Sequence, residues 1–145
     1  MSSTLTQEVG EVTTTMATTV SPIVEASPEL PAATRRIVRT HRYIARALLG
    51  GIAVQYFFAG LGVFGITSFL PHIIFGTSLV IAAFALPIVA WRGRLAKSVA
   101  RRSWLLAGLM ILQGGLIDAG RVIPLVSAFH PVNALLIALV TFTLI

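Results

Sequence analysis

The chain has 145 residues, of which 56% are hydrophobic and only 11% are charged, and its net charge is +6. A soluble globular domain contains about 25% charged residues, so this composition excludes an ordinary soluble enzyme and predicts a membrane protein. The chain contains no cysteine, which excludes disulfides, cysteine nucleophiles, iron–sulfur clusters and cysteine-based zinc sites.

The first 34 residues differ from the rest of the chain. They are rich in Thr, Ser and Pro, and they contain four Glu but no Lys or Arg. A segment of this composition buries too little apolar surface to offset the entropy that folding removes. We therefore expect residues 1–34 to form a disordered cytoplasmic tail, with none of the features of a secretory signal peptide, and residues 35–145 to form one transmembrane domain.

Four apolar runs follow the tail, and they predict helices at about 43–65, 71–91, 103–120 and 127–145. A helix needs about 20 apolar residues to cross a bilayer core of about 30 Å. The first two runs meet this length, and the last two reach it only with their flanking residues. The sequence thus predicts an all-α membrane protein, a four-transmembrane-helix bundle.

The basic residues are concentrated on one side of the predicted bundle. Ten of the eleven Lys and Arg lie before the first helix, in its first turn (Arg46) or between the second and third helices, and only Arg121 lies on the other side. Because Lys and Arg mark cytoplasmic loops, we place both termini in the cytoplasm of a cell, with the protein in the inner membrane. The basic flanks then face the anionic inner leaflet, and His41 among them is expected to be solvated. Nucleic-acid binding is not expected.

The sequence resembles itself at an offset of 58 residues. Gln55 and His72 fall on Gln113 and His130, and in both cases the Gln precedes the His by 17 residues. This correspondence predicts a duplicated helical hairpin whose two copies keep the same orientation. Both histidines then lie near the outer face, each beside a proline that suits the first turn of a helix.

His72 and His130 could ligate the iron of a haem b between the second and fourth helices. The partial positive charge of a helix N-terminus keeps imidazole neutral, as ligation requires. Gly76 and Ala134, one turn further along, leave space for a flat macrocycle, and Arg121 is a candidate partner for haem propionates. Helix capping is the alternative role, and His130, which precedes a proline, is expected to be an N-cap.

Four other polar residues each allow two interpretations. Gln55 and Gln113 lie near the middle of the membrane, where they are expected to hydrogen-bond each other or nearby carbonyls and so join the first and third helices, or else to contact a cofactor or a quinone. Asp118 is expected to form an ion pair with Arg121, or else to accept a proton near the histidines. Asn133 could orient the nearby histidine ring, or satisfy loop backbone.

The strings at Gln55–Phe64, His72–Gly76, Leu112–Gln113 and His130–Leu135 resemble a family of small four-helix bacterial membrane proteins of unknown function. The resemblance covers about residues 43–145. The layout is also similar to one half of the haem A synthases, whose four-helix halves carry histidines on their second and fourth helices. That resemblance implies haem contact at His72 and His130. The synthases have a glutamate shortly before the first histidine, which this chain lacks, so synthase catalysis is not implied.

The sequence leaves three hypotheses of function. The first is binding of haem b near the outer face, for electron transfer with a redox partner or for haem handling. The second is a cofactor-free accessory subunit that packs against a membrane protein partner. The third is a small transporter or proton carrier that uses His72, His130 and Asp118. We do not expect the chain to act as an independent enzyme.

Overall fold

The computed structural model describes residues 31–145. Its helices are α1 (Ala32–Val63), α2 (Leu70–Arg92), α3 (Lys97–Gly120), the single turn α4 (Pro124–Ser127) and α5 (Phe129–Phe142). The described part of the chain contains no strand, and four segments in it, the last formed by α4 and α5 together, are long and apolar enough to cross a membrane. The predicted all-α fold with four membrane-spanning helices is confirmed, and the chain is a multi-pass membrane protein.

The helices extend beyond the apolar runs that identified them. α1 begins at Ala32 rather than near residue 43, and α3 begins at Lys97 rather than at residue 103. The added turns of α1 carry exposed arginines, which are good helix formers, so the helix continues where its surroundings become polar. The predicted disordered tail therefore lies outside the described residues except for its last few, and Ala32 to Thr34 belong to α1.

The four long helices form a ring in which α1 packs on α2, α2 on α3, α3 on α5 and α5 on α1. Short connections join antiparallel neighbours: residues 64–69 link α1 to α2 and residues 93–96 link α2 to α3. The first connection turns at Gly65, whose φ of 68° is one that glycine adopts without strain. α1 and α3 therefore lie on one diagonal of the ring, and α2 and α5 lie on the other.

The two ends of the bundle differ in chemistry. We call the end that holds the first turns of α1 and the 93–96 connection the basic end, and the end that holds the 64–69 connection and α4 the histidine end. Small and aliphatic side chains, among them Ala45, Leu48, Leu86 and Leu106, fill the centre between the ends. Large apolar side chains such as Trp91 cover the outside of the bundle, as expected of a surface that faces lipid.

Both histidines of the predicted site lie in the first turn of a helix. His72 is the third residue of α2, as expected. The expectation that His130 is an N-cap is wrong, because α5 begins at Phe129 and Ala128 is its N-cap. Pro131 follows within the same turn, where the missing N–H costs nothing because first-turn N–H groups have no partner within their own helix.

Candidate functional site

Gln55 on α1 and His72 on α2 are joined by two hydrogen bonds. Gln55 Nε2 donates to the main-chain oxygen of His72 over 2.7 Å, and His72 Nδ1 donates to the main-chain oxygen of Gln55 over 3.2 Å. A carbonyl oxygen only accepts, so the ring proton of His72 is on Nδ1. In the neutral imidazole, His72 Nε2 is then a hydrogen-bond acceptor or a metal ligand.

Gln113 on α3 and His130 on α5 share the same two bonds and add a third. Gln113 Nε2 donates to the main-chain oxygen of His130 over 3.1 Å, and His130 Nδ1 donates to the main-chain oxygen of Gln113 over 3.0 Å. Gln113 Nε2 also donates to His130 Nε2 over 3.0 Å. Both ring nitrogens of His130 are therefore occupied.

Each glutamine bonds a nearby carbonyl, as expected, but the expectation that the two glutamines join the first and third helices is wrong. α1 and α3 lie on a diagonal of the ring, and each glutamine bonds the helix beside its own. The reason is the antiparallel hairpin, which places a residue near the end of one helix level with a residue near the start of the next. The 17-residue spacing between Gln and His is therefore the spacing of two facing positions across a hairpin.

Asn133 acts on Gln113 rather than on the histidine ring. It is 4% exposed, and its Nδ2 donates to the main-chain oxygen of Leu109 over 2.9 Å and to Gln113 Oε1 over 2.6 Å. Within residues 31–145 no hydrogen bond joins it to His130, contrary to the expectation that it orients that ring. Asn133 thus orients the side-chain amide of Gln113, which in turn donates to the imidazole of His130.

The rings of His72 and His130 meet across the diagonal between α2 and α5, with centroids 6.2 Å apart and planes at 58°. A cavity of about 170 Å³ adjoins them. Its lining includes both histidines, both glutamines and the small residues one turn further along, with aliphatic side chains beyond them: His72, His130, Gln55, Gln113, Gly76, Ala134, Ile52, Leu79, Met110 and Ile137. Because an apolar cavity of about 150 Å³ holds benzene, this cavity has room for one ring of that size.

Asp118 and Arg121 do not belong to this cavity. Arg121 Nε lies 3.6 Å from Asp118 Oδ1, and both side chains are nearly four-fifths exposed. The expected ion pair is confirmed. Neither residue lines the cavity.

His41 is buried rather than solvated, which corrects the sequence-based expectation. It is 2% exposed, its Nε2 donates to Ser103 Oγ over 3.0 Å, and Ser103 Oγ donates to the main-chain oxygen of Val99 over 2.9 Å. The sequence held a signal for this placement. His41 precedes Ala45 and Leu48 by four and seven residues, the spacing of a single helix face, and both of those residues are buried.

The site meets one requirement for binding haem b, the position of the ring protons, and lacks two others, a free Nε2 on both imidazoles and a large enough cavity. Both imidazoles give their Nδ1 proton to a carbonyl, as metal-bound histidines commonly do. However, His130 Nε2 is bound to Gln113, and a cavity sized for one ring does not hold a four-pyrrole macrocycle unless the helices separate. Nor do three His, Cys, Asp or Glu side chains converge anywhere in residues 31–145 in a set that could hold a bare metal ion.

Comparison with known proteins gives similarity to one family over part of the chain, and no activity. No curated protein and no solved structure matches the chain, and similarity to the haem A synthases is not shown. Residues 55–120 match the model of a family of unknown function, and this segment includes the Gln55–His72 pair and Gln113. The expected resemblance is thereby confirmed: over residues 55–120, this chain is similar to the family of unknown function DUF6220.

Proposed function

We propose that this chain is a membrane protein that binds a small, ring-shaped apolar ligand in the cavity between its four helices. The observation that carries the proposal is the cavity itself, about 170 Å³ in volume, at which two imidazoles and two amides converge. Protein interiors contain few voids larger than a water molecule. An apolar cavity with a few convergent polar groups is the usual composition of a ligand site.

The ligand would enter from the lipid. Tyr56 lines the cavity and is 44% exposed on the outside of the bundle, so the cavity and the surrounding bilayer meet at this side chain. The buried end of the cavity is formed by Met110 and Ile137, which are 6% and 3% exposed. A compound dissolved in the membrane could thus reach the histidines without crossing the polar ends of the bundle.

Met110 provides the test, because its methyl group reports from the buried end of the cavity and the chain has only three Met. Protein labelled with [¹³C]methyl-methionine is titrated with toluene in detergent micelles. We expect a saturable shift of the Met110 signal in the wild type and in the control Ala53→Leu, whose position is exposed. The shift is lost in Ala134→Leu, which fills the cavity. A non-saturating shift of equal slope in all three proteins would overturn the proposal.

Haem b bound between His72 and His130 is a second candidate for this site. The observation that favours it is the pair of Nδ1–H donations to main-chain carbonyls, which leaves Nε2 as the coordinating atom of each ring once Gln113 turns away. The test is a reduced-minus-oxidised visible spectrum of protein produced with excess haem. This candidate predicts a haem spectrum that is lost in both His72→Ala and His130→Ala. A colourless protein that also fails to bind toluene would favour the cofactor-free accessory subunit.

We also infer that the basic end faces the cytoplasm, against anionic lipid of the inner membrane. The distribution of Lys and Arg supports this orientation, and single cysteines can test it because the chain has none. Ser68 lies in the 64–69 connection at the histidine end, Ser98 lies in the first turn of α3 at the basic end, and both are exposed. We expect an impermeant maleimide to label Ser68→Cys in intact spheroplasts and Ser98→Cys only after lysis. The reverse pattern would overturn the orientation.

The two Gln–His pairs are consistent with a duplicated hairpin. Both pairs are separated by 17 residues, and both carry the same two hydrogen bonds between a side chain and the facing main chain. We infer that one ancestral hairpin gave both halves, and that the ligand site lies where the two copies meet.

A further inference from the structure

The two Gln–His pairs differ in which of their polar atoms are satisfied. In the α3–α5 pair, Gln113 Oε1 accepts from Asn133, and His130 Nε2 accepts from Gln113. In the α1–α2 pair, Gln55 Oε1 is buried and has no hydrogen-bond partner. His72 Nε2 likewise makes no hydrogen bond among residues 31–145. The Gln113–His130 pair is therefore closed, although Asn133 Oδ1 beside it is buried without a hydrogen-bond partner. The Gln55–His72 pair leaves two acceptors of its own without a partner.

Two substitutions between the halves account for this difference. At an offset of 58 residues, Asn133 corresponds to Phe75, which has no group to donate to Gln55 Oε1. Ala134 corresponds to Gly76, and a Cβ at Gly76 would lie 2.6 Å from Gln55 Nε2. The glycine lets the side-chain amide of Gln55 lie directly against α2. In that position Gln55 does not reach the ring of His72, whereas Gln113 reaches the ring of His130.

An open acceptor inside a membrane protein calls for an explanation. A buried polar atom without a partner costs about 1–3 kcal/mol, and such atoms are few in native structures. In the closed half, an Asn and an Ala at two positions accompany a Gln and a His whose corresponding atoms are both satisfied, and the acceptor left without a partner there is Asn133 Oδ1. The open half instead has Phe75 and Gly76, and the two residues that carry its unpaired atoms, Gln55 and His72, both line the cavity.

We propose that the Gln55–His72 half recognises a hydroxyl group on the ring of the ligand, so that the ligand is a phenol or a hydroquinone. This inference rests on the proposed function, since it names the ligand class of the same cavity. A hydroxyl donates one hydrogen bond and accepts others. It can donate to His72 Nε2 or Gln55 Oε1 and accept from the one N–H of Gln55 Nε2 that remains after the bond to the main-chain oxygen of His72.

A ring that bears only a carbonyl fits this half less well. A quinone oxygen accepts and cannot donate, so it would face two acceptors and satisfy neither of them. The reduced form of such a compound would satisfy them. The site would therefore prefer a hydroquinone to the corresponding quinone, and a phenol to the same ring without its hydroxyl. The side chains of Gln113 and His130 bond each other and Asn133 bonds Gln113, so in this proposal they line the cavity without bonding the hydroxyl group.

The test compares 4-methylphenol with toluene, which differ by one hydroxyl group. Both are titrated into [¹³C]methyl-methionine protein in the same micelles, with concentrations corrected for micelle partition, and the Met110 signal reports occupancy. We expect 4-methylphenol to bind about tenfold more tightly, the effect of one added hydrogen bond. Gln55→Leu and His72→Phe should each reduce that preference, and Gly108→Ala, which has open space around it, should leave it unchanged.

A second readout separates recognition from packing. In protein labelled with [¹⁵N]histidine, 4-methylphenol should move the Nε2 signal of His72, and toluene should not. If 4-methylphenol and toluene bind equally, the hydroxyl recognition is wrong while the cavity remains a ligand site. If the preference survives in both Gln55→Leu and His72→Phe, other residues carry it and the inference is overturned. If neither compound binds, the proposed function fails and this inference fails with it.

Discussion

His41 Nε2 and Ser103 Oγ, 3.0 Å apart, join α1 to α3 across the basic end of the bundle. These two helices lie on a diagonal of the ring, and they approach each other here through side chains alone. At the opposite end, His72 and His130 meet across the other diagonal, between α2 and α5. One diagonal is therefore bridged by a hydrogen bond at the basic end, and the other by two rings beside a cavity at the histidine end.

Ser103→Ala tests the structural role of this bridge. The change leaves the Nε2–H of His41 buried without an acceptor, and we expect a loss of about 1–3 kcal/mol in the free energy of unfolding, measured by denaturation in mixed micelles. Ser78→Ala is the matched control, because Ser78 is exposed and its hydroxyl donates only to the main-chain oxygen of Ile74 within α2. Equal losses in the two variants would contradict the assignment.

The two glutamines should contribute unequally to stability. The side chain of Gln113 takes part in three hydrogen bonds, and that of Gln55 takes part in one. At about 0.6 kcal/mol for each such bond in a membrane, we expect Gln113→Leu to lower the free energy of unfolding by about 2 kcal/mol and Gln55→Leu by less than half of that. Both losses are measured by the same denaturation experiment. A larger loss of unfolding free energy for Gln55→Leu than for Gln113→Leu would contradict the account in which Gln55 has the fewer hydrogen bonds.

The sequence predicted the parts of the site that follow from regular spacing. Apolar length predicted four spans, and the 17-residue spacing between Gln and His selected the four polar residues that line the cavity. The helix in which each residue lies was also predictable. Hydrophobic runs and hairpin geometry are local properties, and a single sequence carries them in full.

The partners of these residues were not predictable, because they depend on which helices are neighbours. The ring order places α1 beside α2 and opposite α3, so Gln55 bonds His72 rather than Gln113. For Asn133 the sequence offered the ring of His130 or loop backbone as partners, whereas its amide bonds Gln113 and the main chain of α3. The burial of His41 was not predicted, because the arginines around it in the sequence indicated a solvated segment. Its position on the same helix face as Ala45 and Leu48 decides its burial. In each case the packing of the bundle decides the partner.

Gly76→Ala should give the Gln55–His72 pair the side-chain hydrogen bond that it lacks and the Gln113–His130 pair has. The new Cβ would displace the amide of Gln55, whose flexible side chain can turn toward His72 Nε2 as Gln113 turns toward His130 Nε2. Replacing a helical Gly by Ala adds up to about 1 kcal/mol of helix propensity, so we do not expect the thermal stability to fall. In the [¹⁵N]histidine spectrum, the His72 Nε2 signal should move toward that of His130. Gly108→Ala is the control, and a spectrum unchanged in both variants would contradict this account.

Asp118→Asn tests whether the acid at the histidine end has a role in proton movement. Asp118 pairs with Arg121 at 3.6 Å while both side chains remain nearly four-fifths exposed. An exposed pair of this kind adds little to stability, and neither residue lines the cavity. We therefore expect Asp118→Asn to leave the unfolding midpoint and the affinity for toluene unchanged. In liposomes carrying a pH gradient, the variant and the wild type should dissipate the gradient at the same rate. A rate that falls only in the variant would instead favour a proton carrier, because a residue whose contacts are all solvated could affect proton flux only by taking part in it.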